Sequence, residues 1–238
     1  YVANSQPLRD RDLVLVDAGC ELECYASDIT RTFPVNGRFT GPQRILYELV
    51  LEAQLAAIDK VRAGNHWNDP HDAAVRVIAR GLLKLGLLKG TLANALKKET
   101  YKKFYMHRTG HWLGMDVHDV GDYKVGDAWR VFEPGMVLTV EPGLYIAGGQ
   151  KKVAKKWWNI GIRIEDDVLV TSKGPEVLTA AAPKHADEIE EWINNISKTY
   201  PLKRVCSVDE IANLALFLAS NESSYINGEC IIVDGGRI

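Results

Sequence analysis

Three of the chain's six histidines fall within twelve positions, in His107-Arg-Thr-Gly-His111-Trp-Leu-Gly114-Met-Asp-Val-His118-Asp-Val-Gly121. The glycines there suit tight turns and the close approach of other groups. Imidazoles at this density are metal ligands or proton carriers when carboxylates join them, and ordinary loop residues otherwise. Four carboxylates occupy the right kind of setting. Asp17 ends the apolar run Leu13-Val-Leu-Val16. Asp28 shares one parity with Ala26, Thr30 and Thr32 in the strand-like segment Cys24–Phe33. Glu141 ends Met136-Val-Leu-Thr-Val140 and is followed by Pro-Gly. Glu165 shares a face with Gly161 and Arg163 in Gly161-Ile-Arg-Ile-Glu-Asp-Asp-Val168. Carboxylates gathered in one cavity repel, so each must keep a proton or find a cation. Two divalent ions nearly neutralise four of them. Oxygen-rich ligation with a single imidazole, His111, suits hard or borderline ions such as manganese better than a thiolate-type zinc site. Paired ions provide a nucleophilic water and a Lewis acid in one place. The residues alone therefore predict a dinuclear metallohydrolase.

The elements that must position these groups follow from patterning. Leu13–Val16 reads as a strand buried on both faces. Cys24–Phe33, broken by Pro34 and Asn36-Gly37, reads as a second strand that, if antiparallel to the first, brings Asp17 and Asp28 together. Thr40-Gly-Pro-Gln43 marks a helix start, a Thr cap with Gln three residues later. Leu46, Leu49 or Val50, Ala53, Ala57 and Val61 then recur at helical spacing as far as Gly64. A second helix runs from near Pro70 to Leu85, with Val75, Ile78, Ala79, Leu82 and Leu83 inward, and stops at Gly86. His66 and His71 read as polar loop or cap residues, and Leu96–Lys103 as a solvated face. Gly161–Val170 reads as a strand, alternating through its first half.

The totals narrow the partners. The chain's 238 residues suffice for one large domain, or one domain and an appendage. A net charge of -2 gives no reason to expect nucleic acid or an anionic membrane. No apolar run approaches the roughly 20 residues of a membrane span, and the N-terminus has no signal-peptide pattern. Cys20, Cys24, Cys206 and Cys230 form no paired framework, which predicts reduced thiols and a cytoplasmic protein.

Together, Asp17, Asp28-Ile-Thr-Arg-Thr-Phe, the His107–Asp119 run, Pro134-Gly-Met through Glu141-Pro-Gly-Leu-Tyr, and Gly161-Ile-Arg-Ile-Glu165-Asp-Asp closely resemble the catalytic domain of the Xaa-Pro aminopeptidases (aminopeptidase P). These are grouped with prolidase and methionine aminopeptidase in the pita-bread family. The likeness runs from about Tyr1 to Trp192. It implies an α+β, pita-bread (creatinase/aminopeptidase-like) fold and two divalent ions, Mn2+ by preference. Asp17 would chelate one ion, Asp28 and Glu165 would bridge both, and His111 and Glu141 would hold the other. It further implies attack by a metal-activated hydroxide on the carbonyl before proline, with Glu141 as proton acceptor. His118 would stabilise the oxyanion, His107 would contact the substrate, and Arg163 would orient Asp28. The implied substrates are peptides with proline at position two, and full-length members are expected to be homo-oligomers. Prolidase, which cuts only Xaa-Pro dipeptides, is the close alternative.

Two features depart from that pattern. The family's further active-site histidine, expected just before Tyr1, is not in this sequence, nor is the family's N-terminal domain. The expectation is a fold incomplete at its N-terminus, with metal ligands kept and activity weak or absent. After Trp192 the chain resembles the C-terminal end of short-chain dehydrogenases. It shows a Ser207-capped helix with Ile211, Leu214, Ala215 and Leu218 inward, a turn, and one buried strand at Cys230–Val233. The expected division is therefore a catalytic domain over 1–194 and a helix-strand appendage over 195–238. An NAD(P)-dependent oxidoreductase reading rests on this tail alone. It lacks support from a Gly-rich nucleotide loop or a Tyr-x-x-x-Lys pair, neither of which occurs in the chain. A metal-binding but inactive module is the third reading.

Overall fold

A computed structural model of the chain describes residues 7–199 and 208–226. The strands are β1 Leu13–Ala18, β2 Glu21–Leu22, β3 Tyr25–Ala26, β4 Ile29–Pro34, β5 Lys124–Val125, β6 Ala128–Trp129, β7 Val137–Val140, β8 Gly143–Ile146, β9 Ile160–Arg163, β10 Asp166–Thr171 and β11 Gly174–Val177. The helices are α1 Gly41–Ile58, α2 Asp69–Lys84, α3 Leu92–Lys97, α4 Ala186–Thr199 and α5 Val208–Leu218. Two compact units divide the chain, Tyr1–Ile189 and Glu190–Ile238. No helix among the described residues is long and apolar enough to cross a membrane.

In the first unit, α1 and α2 lie against each other, and α1 also meets β7, β8 and β9. Helical spacing dictates the contact face: Leu46, Tyr47, Val50, Ala53 and Ala57 of α1 and Ala74, Ile78, Ala79 and Leu82 of α2 are fully buried. Leu138, Val140, Leu144 and Ile162 of β7, β8 and β9, the strands that α1 meets, are buried as well, as are Val168 and Val170 of β10. The Thr40 amide donates to Gln43 Oε1 at 2.8 Å, as the sequence cap predicts. The helix closes at Ile58 rather than Gly64, and Arg62 turns back to Asp59 at 2.7 Å.

Other elements also depart from the sequence expectations. β1 is half-covered at best, with Val16 43% exposed, and among the described residues it pairs with β4 alone. The register sets Asp17 opposite Thr30. Cys24–Phe33 is not one strand: β3 belongs to a small hairpin with β2, and Ser27 and Asp28 lie in the gap before β4. Gly161–Val170 is likewise two strands. β9 pairs with β8, whereas β10 pairs with β7 and β11. Ile164 and Glu165 form the junction, where the Ile164 amide goes to Pro142 O at 3.4 Å and the Glu165 amide to Thr30 O at 3.1 Å. His71, expected as a polar loop or cap residue, lies just inside the helix and is buried. It sits in the first turn of α2 with Nδ1 2.8 Å from Thr109 Oγ1. Burial drives its pKa down to about 3, so it is a neutral structural group.

In the second unit, α5 is a helix as expected, but Ile211 and Leu218 are 49% and 41% exposed. The described residues of that unit give α5 only a short 3-10 turn, Asn221–Ser223, beside it, which cannot cover an apolar stripe. Ser207 and the Cys230–Val233 strand lie outside the described residues, as do Cys206 and Cys230. Cys20 and Cys24 are free thiols.

Candidate metal centre

The histidine run is not a free loop. Residues 109–113 lie antiparallel alongside β7: the Glu141 amide donates to Thr109 O at 2.7 Å, the Thr139 amide to His111 O at 3.0 Å, and the Leu113 amide to Val137 O at 3.2 Å. Gly110 makes this approach possible, since a Cβ there would sit 1.9 Å from Thr139 O. Period-two alternation then turns His111 and Trp112 to opposite faces. Trp112 joins Trp67 and Phe132 in an aromatic cluster. His111 donates from Nδ1 to Trp112 O at 2.9 Å, which fixes the ring and leaves Nε2 for other partners.

Nε2 lies 3.4 Å from Asp28 Oδ2 and 3.7 Å from Glu141 Oε1. Asp28, His111 and Glu165 each present one ligand-capable atom, all within 4.8 Å of one another. Glu165, 1% exposed at the β9–β10 junction, accepts from Thr30 Oγ1 at 2.5 Å. Thr30 Oγ1 itself accepts from Arg163 Nε at 3.1 Å. Arg163 ion-pairs with Asp17, comes within 3.9 Å of Glu141, and donates to Tyr145 OH at 3.3 Å. Its carboxylate contacts are thus Asp17 and Glu141, while the expected partner, Asp28, lies 3.4 Å from His111. Asp17 remains half-exposed at the end of its strand.

Electrostatics mark the cluster as short of positive charge. Burial raises Glu165 to about 8, reinforced by repulsion from Glu141, and raises Glu141 to about 7 against the pull of His111 and Arg163. Asp17 is raised by burial, with Arg163 opposing. Burial would lower His111, but the Asp28 carboxylate and Trp112 O reverse this and raise it to about 9. Asp28 moves the other way: burial is outweighed by its bond to His111, and its pKa falls. Buried carboxylates, one correctly oriented imidazole nitrogen and no thiolate form a donor set that fits hard or borderline divalent ions.

The remaining predicted groups flank the trio. His107 donates from Nδ1 to Arg108 O at 2.7 Å and meets Tyr145 OH with Nε2 at 2.9 Å, and burial lowers its pKa. His118 is exposed, its ring edge-on to His111 with centroids 4.2 Å apart. Sequence reasoning assigned no role to Thr30, Arg31, Tyr145, Asp166 or Asp167, although all lie within its motifs. Asp167 Oδ2 accepts the Asp28 amide at 3.2 Å, and its Oδ1 is buried without a protein partner. Burial raises Asp167 to about 6. Three consecutive acids, 165–167, leading into an apolar strand were the available signal.

The family model described as Metallopeptidase family M24 matches residues 1–172. The chain belongs to this metallopeptidase family, whose membership implies divalent metal ions. Among particular relatives, the Xaa-Pro aminopeptidase of Haemophilus influenzae is 51% identical over 194 residues, covering 82% of this chain and 45% of that protein. The solved structure of Pseudomonas aeruginosa aminopeptidase PepP is 61% identical with a TM-score of 0.79, over 80% of this chain and 43% of that one. Proline aminopeptidase P II from Yersinia pestis is 51% identical with a TM-score of 0.77, over 80% of this chain and 44% of that one. The fold is thus the expected α+β, pita-bread type, and the chain spans under half the length of these relatives. A second family model, described as Enoyl-(Acyl carrier protein) reductase, matches residues 149–237, overlapping the first.

Proposed function

We propose that this chain carries the metal centre of a proline-directed aminopeptidase. The observation that supports this most is the convergence of Asp28, His111 and Glu165 within 4.8 Å, with Glu141 beside them, in a chain similar to Xaa-Pro aminopeptidases. Asp17 would hold one ion, Asp28 and Glu165 both, and His111 with Glu141 the other, Mn2+ being preferred for so oxygen-rich a set. When bound, the ions supply a Lewis acid and an acidified water. The chain's own groups do the rest. Glu141, 3.7 Å from His111 Nε2 at the edge of the trio, would accept the proton. His118, exposed beside His111, is placed to donate to an oxyanion, and His107, anchored at both nitrogens, to contact the peptide. Arg163 keeps Asp17 in reach of the centre.

The substrates are peptides with proline second. The protein acts in the cytoplasm, as a homo-oligomer when full length, without nucleic acid or membrane partners. Residues 1–194 form the metallopeptidase unit and 195–238 a dehydrogenase-like appendage, which carries no nucleotide chemistry. Anomalous scattering at the manganese edge tests the centre: two peaks between Asp28 and Glu165 are expected, and none would end the proposal. Comparing an Xaa-Pro dipeptide with a longer Xaa-Pro peptide separates aminopeptidase from prolidase. NADH binding to the purified chain would revive the reductase reading.

A further inference from the structure

Arg31 has no task in the proposed reaction, yet all five of its N–H donors are used. Nε donates to Pro183 O at 2.8 Å, Nη1 to Thr30 O at 3.0 Å and Glu165 O at 2.5 Å, and Nη2 to Asp166 Oδ1 at 2.8 Å and Ala182 O at 3.0 Å. Asp166, wholly buried, also accepts from Gln54 Nε2 and Lys184 Nζ, each at 2.7 Å, and from Thr179 Oγ1 at 2.8 Å. The guanidinium is therefore fixed in orientation from several directions.

Its position matters because, among the described residues, no sheet ladder sets the distance between Asp28 and Glu165, and a direct tie between their segments is the Asp28 amide to Asp167 Oδ2 bond at 3.2 Å. β4 pairs with β1, and β10 with β7 and β11. Across the seam near Glu165, the strand backbones share the Glu165 amide to Thr30 O bond. The Nη1 fork closes over those same two residues from behind, while their side chains meet in front through Thr30 Oγ1 and Glu165 Oε2. A planar fork can span two carbonyls where an ammonium cannot hold both in fixed geometry.

We infer that Arg31 is a positioning residue that sets the separation of Asp28 and Glu165, and so governs whether a second ion is held. This builds on the two-ion reading above. Calorimetric titration of the metal-free chain with Mn2+ tests it, with electron paramagnetic resonance reporting spin coupling between ions. The unaltered chain binds two ions. Arg31→Lys keeps one near its original affinity and weakens the other about 10- to 100-fold, as losses behind a metal ligand do, and the coupled signal fades. Tyr47→Phe is the comparator. It removes the 2.8 Å bond from Tyr47 OH to Lys184 O at the edge of the same cluster, and lowers the melting point without changing either affinity. Should Arg31→Lys fail to fold, Asp166→Asn, which frees the fork from its anchor, carries the test with a loss of about tenfold. Two ions bound by Arg31→Lys at unaltered affinity, whatever its melting point, would overturn the inference. So would an equal weakening in Tyr47→Phe. An unaltered chain that binds no ion removes the metal reading itself and this inference with it, a result distinct from both.

Discussion

Glu165 and Asp166 are neighbours in sequence and almost equally buried, yet they are treated in opposite ways. Asp166 faces Arg31 and Lys184, which more than reverse the effect of burial and hold its carboxyl below the usual range. Glu165 is raised to about 8, first by burial and then by repulsion from Glu141, Asp28 and Asp17. A fold that needed only stability would neutralise both. Here the protein supplies its own cations on one side of the β9–β10 junction and withholds them on the other. Arg163 and His111 go partway, each already committed to a carboxylate.

Removing the charge on either side sharpens the contrast. Asp166→Asn takes the carboxylate from part-buried Arg31 and Lys184, which keep their carbonyl and Gln54 bonds, and should cost about 1.5–3 kcal/mol, read as a fall in the denaturant midpoint. Glu165→Gln imitates the protonated state that Glu165 already prefers at neutral pH. It should leave the stability of the metal-free chain nearly unchanged while reducing Mn2+ affinity at least about 100-fold, a loss no smaller than those found for groups behind the ligands. If Glu165→Gln destabilises the metal-free chain as much as Asp166→Asn does, the two carboxylates are equivalent and the contrast is wrong.

Smaller effects probe how each side is held. Gly110→Ala drives a methyl into Thr139 O and should cost about 1–3 kcal/mol while displacing His111, visible as weaker Mn2+ binding in titration. His71 sets the mildest test. Its folded pKa, about 3, lies below the ordinary 6.5, so the unfolded chain binds the extra proton between those values. Stability should be full above about pH 6.5 and decline as pH falls toward 3. His71→Gln should flatten that slope in thermal melts across the range, at a cost of about 1 kcal/mol near neutrality.

Much of this arrangement is legible in the sequence. The capping box at Thr40, the helical stripes of α1 and α2, and the acids that end apolar runs are local signals, and local geometry honours them. What was not legible depends on non-local pairing. Nothing in Gly161–Val170 marks the change of partner at Ile164, which requires Pro142 and Thr30 to be in place. Arg31 has the parity opposite to Asp28, and its carbonyl partners Ala182 and Pro183 lie 151 and 152 positions away. His71 looks like a cap residue because its partner, Thr109, lies 38 positions away. The inward face expected for α5 is not seen among the described residues, where Ile211 and Leu218 stay exposed, because an apolar stripe predicts a partner and does not supply one.

The handover of the chain at Ile164–Glu165 has a mechanical consequence. Under the proposed reading, paired ions act as rivets across a joint that has little backbone lacing of its own. Metal depletion should then appear first as a loosened hinge, with faster amide exchange at Asp28 and Glu165 than in the helices, before any cooperative melting. Exchange rates there that ignore added Mn2+ would show that the joint is held by the polypeptide alone.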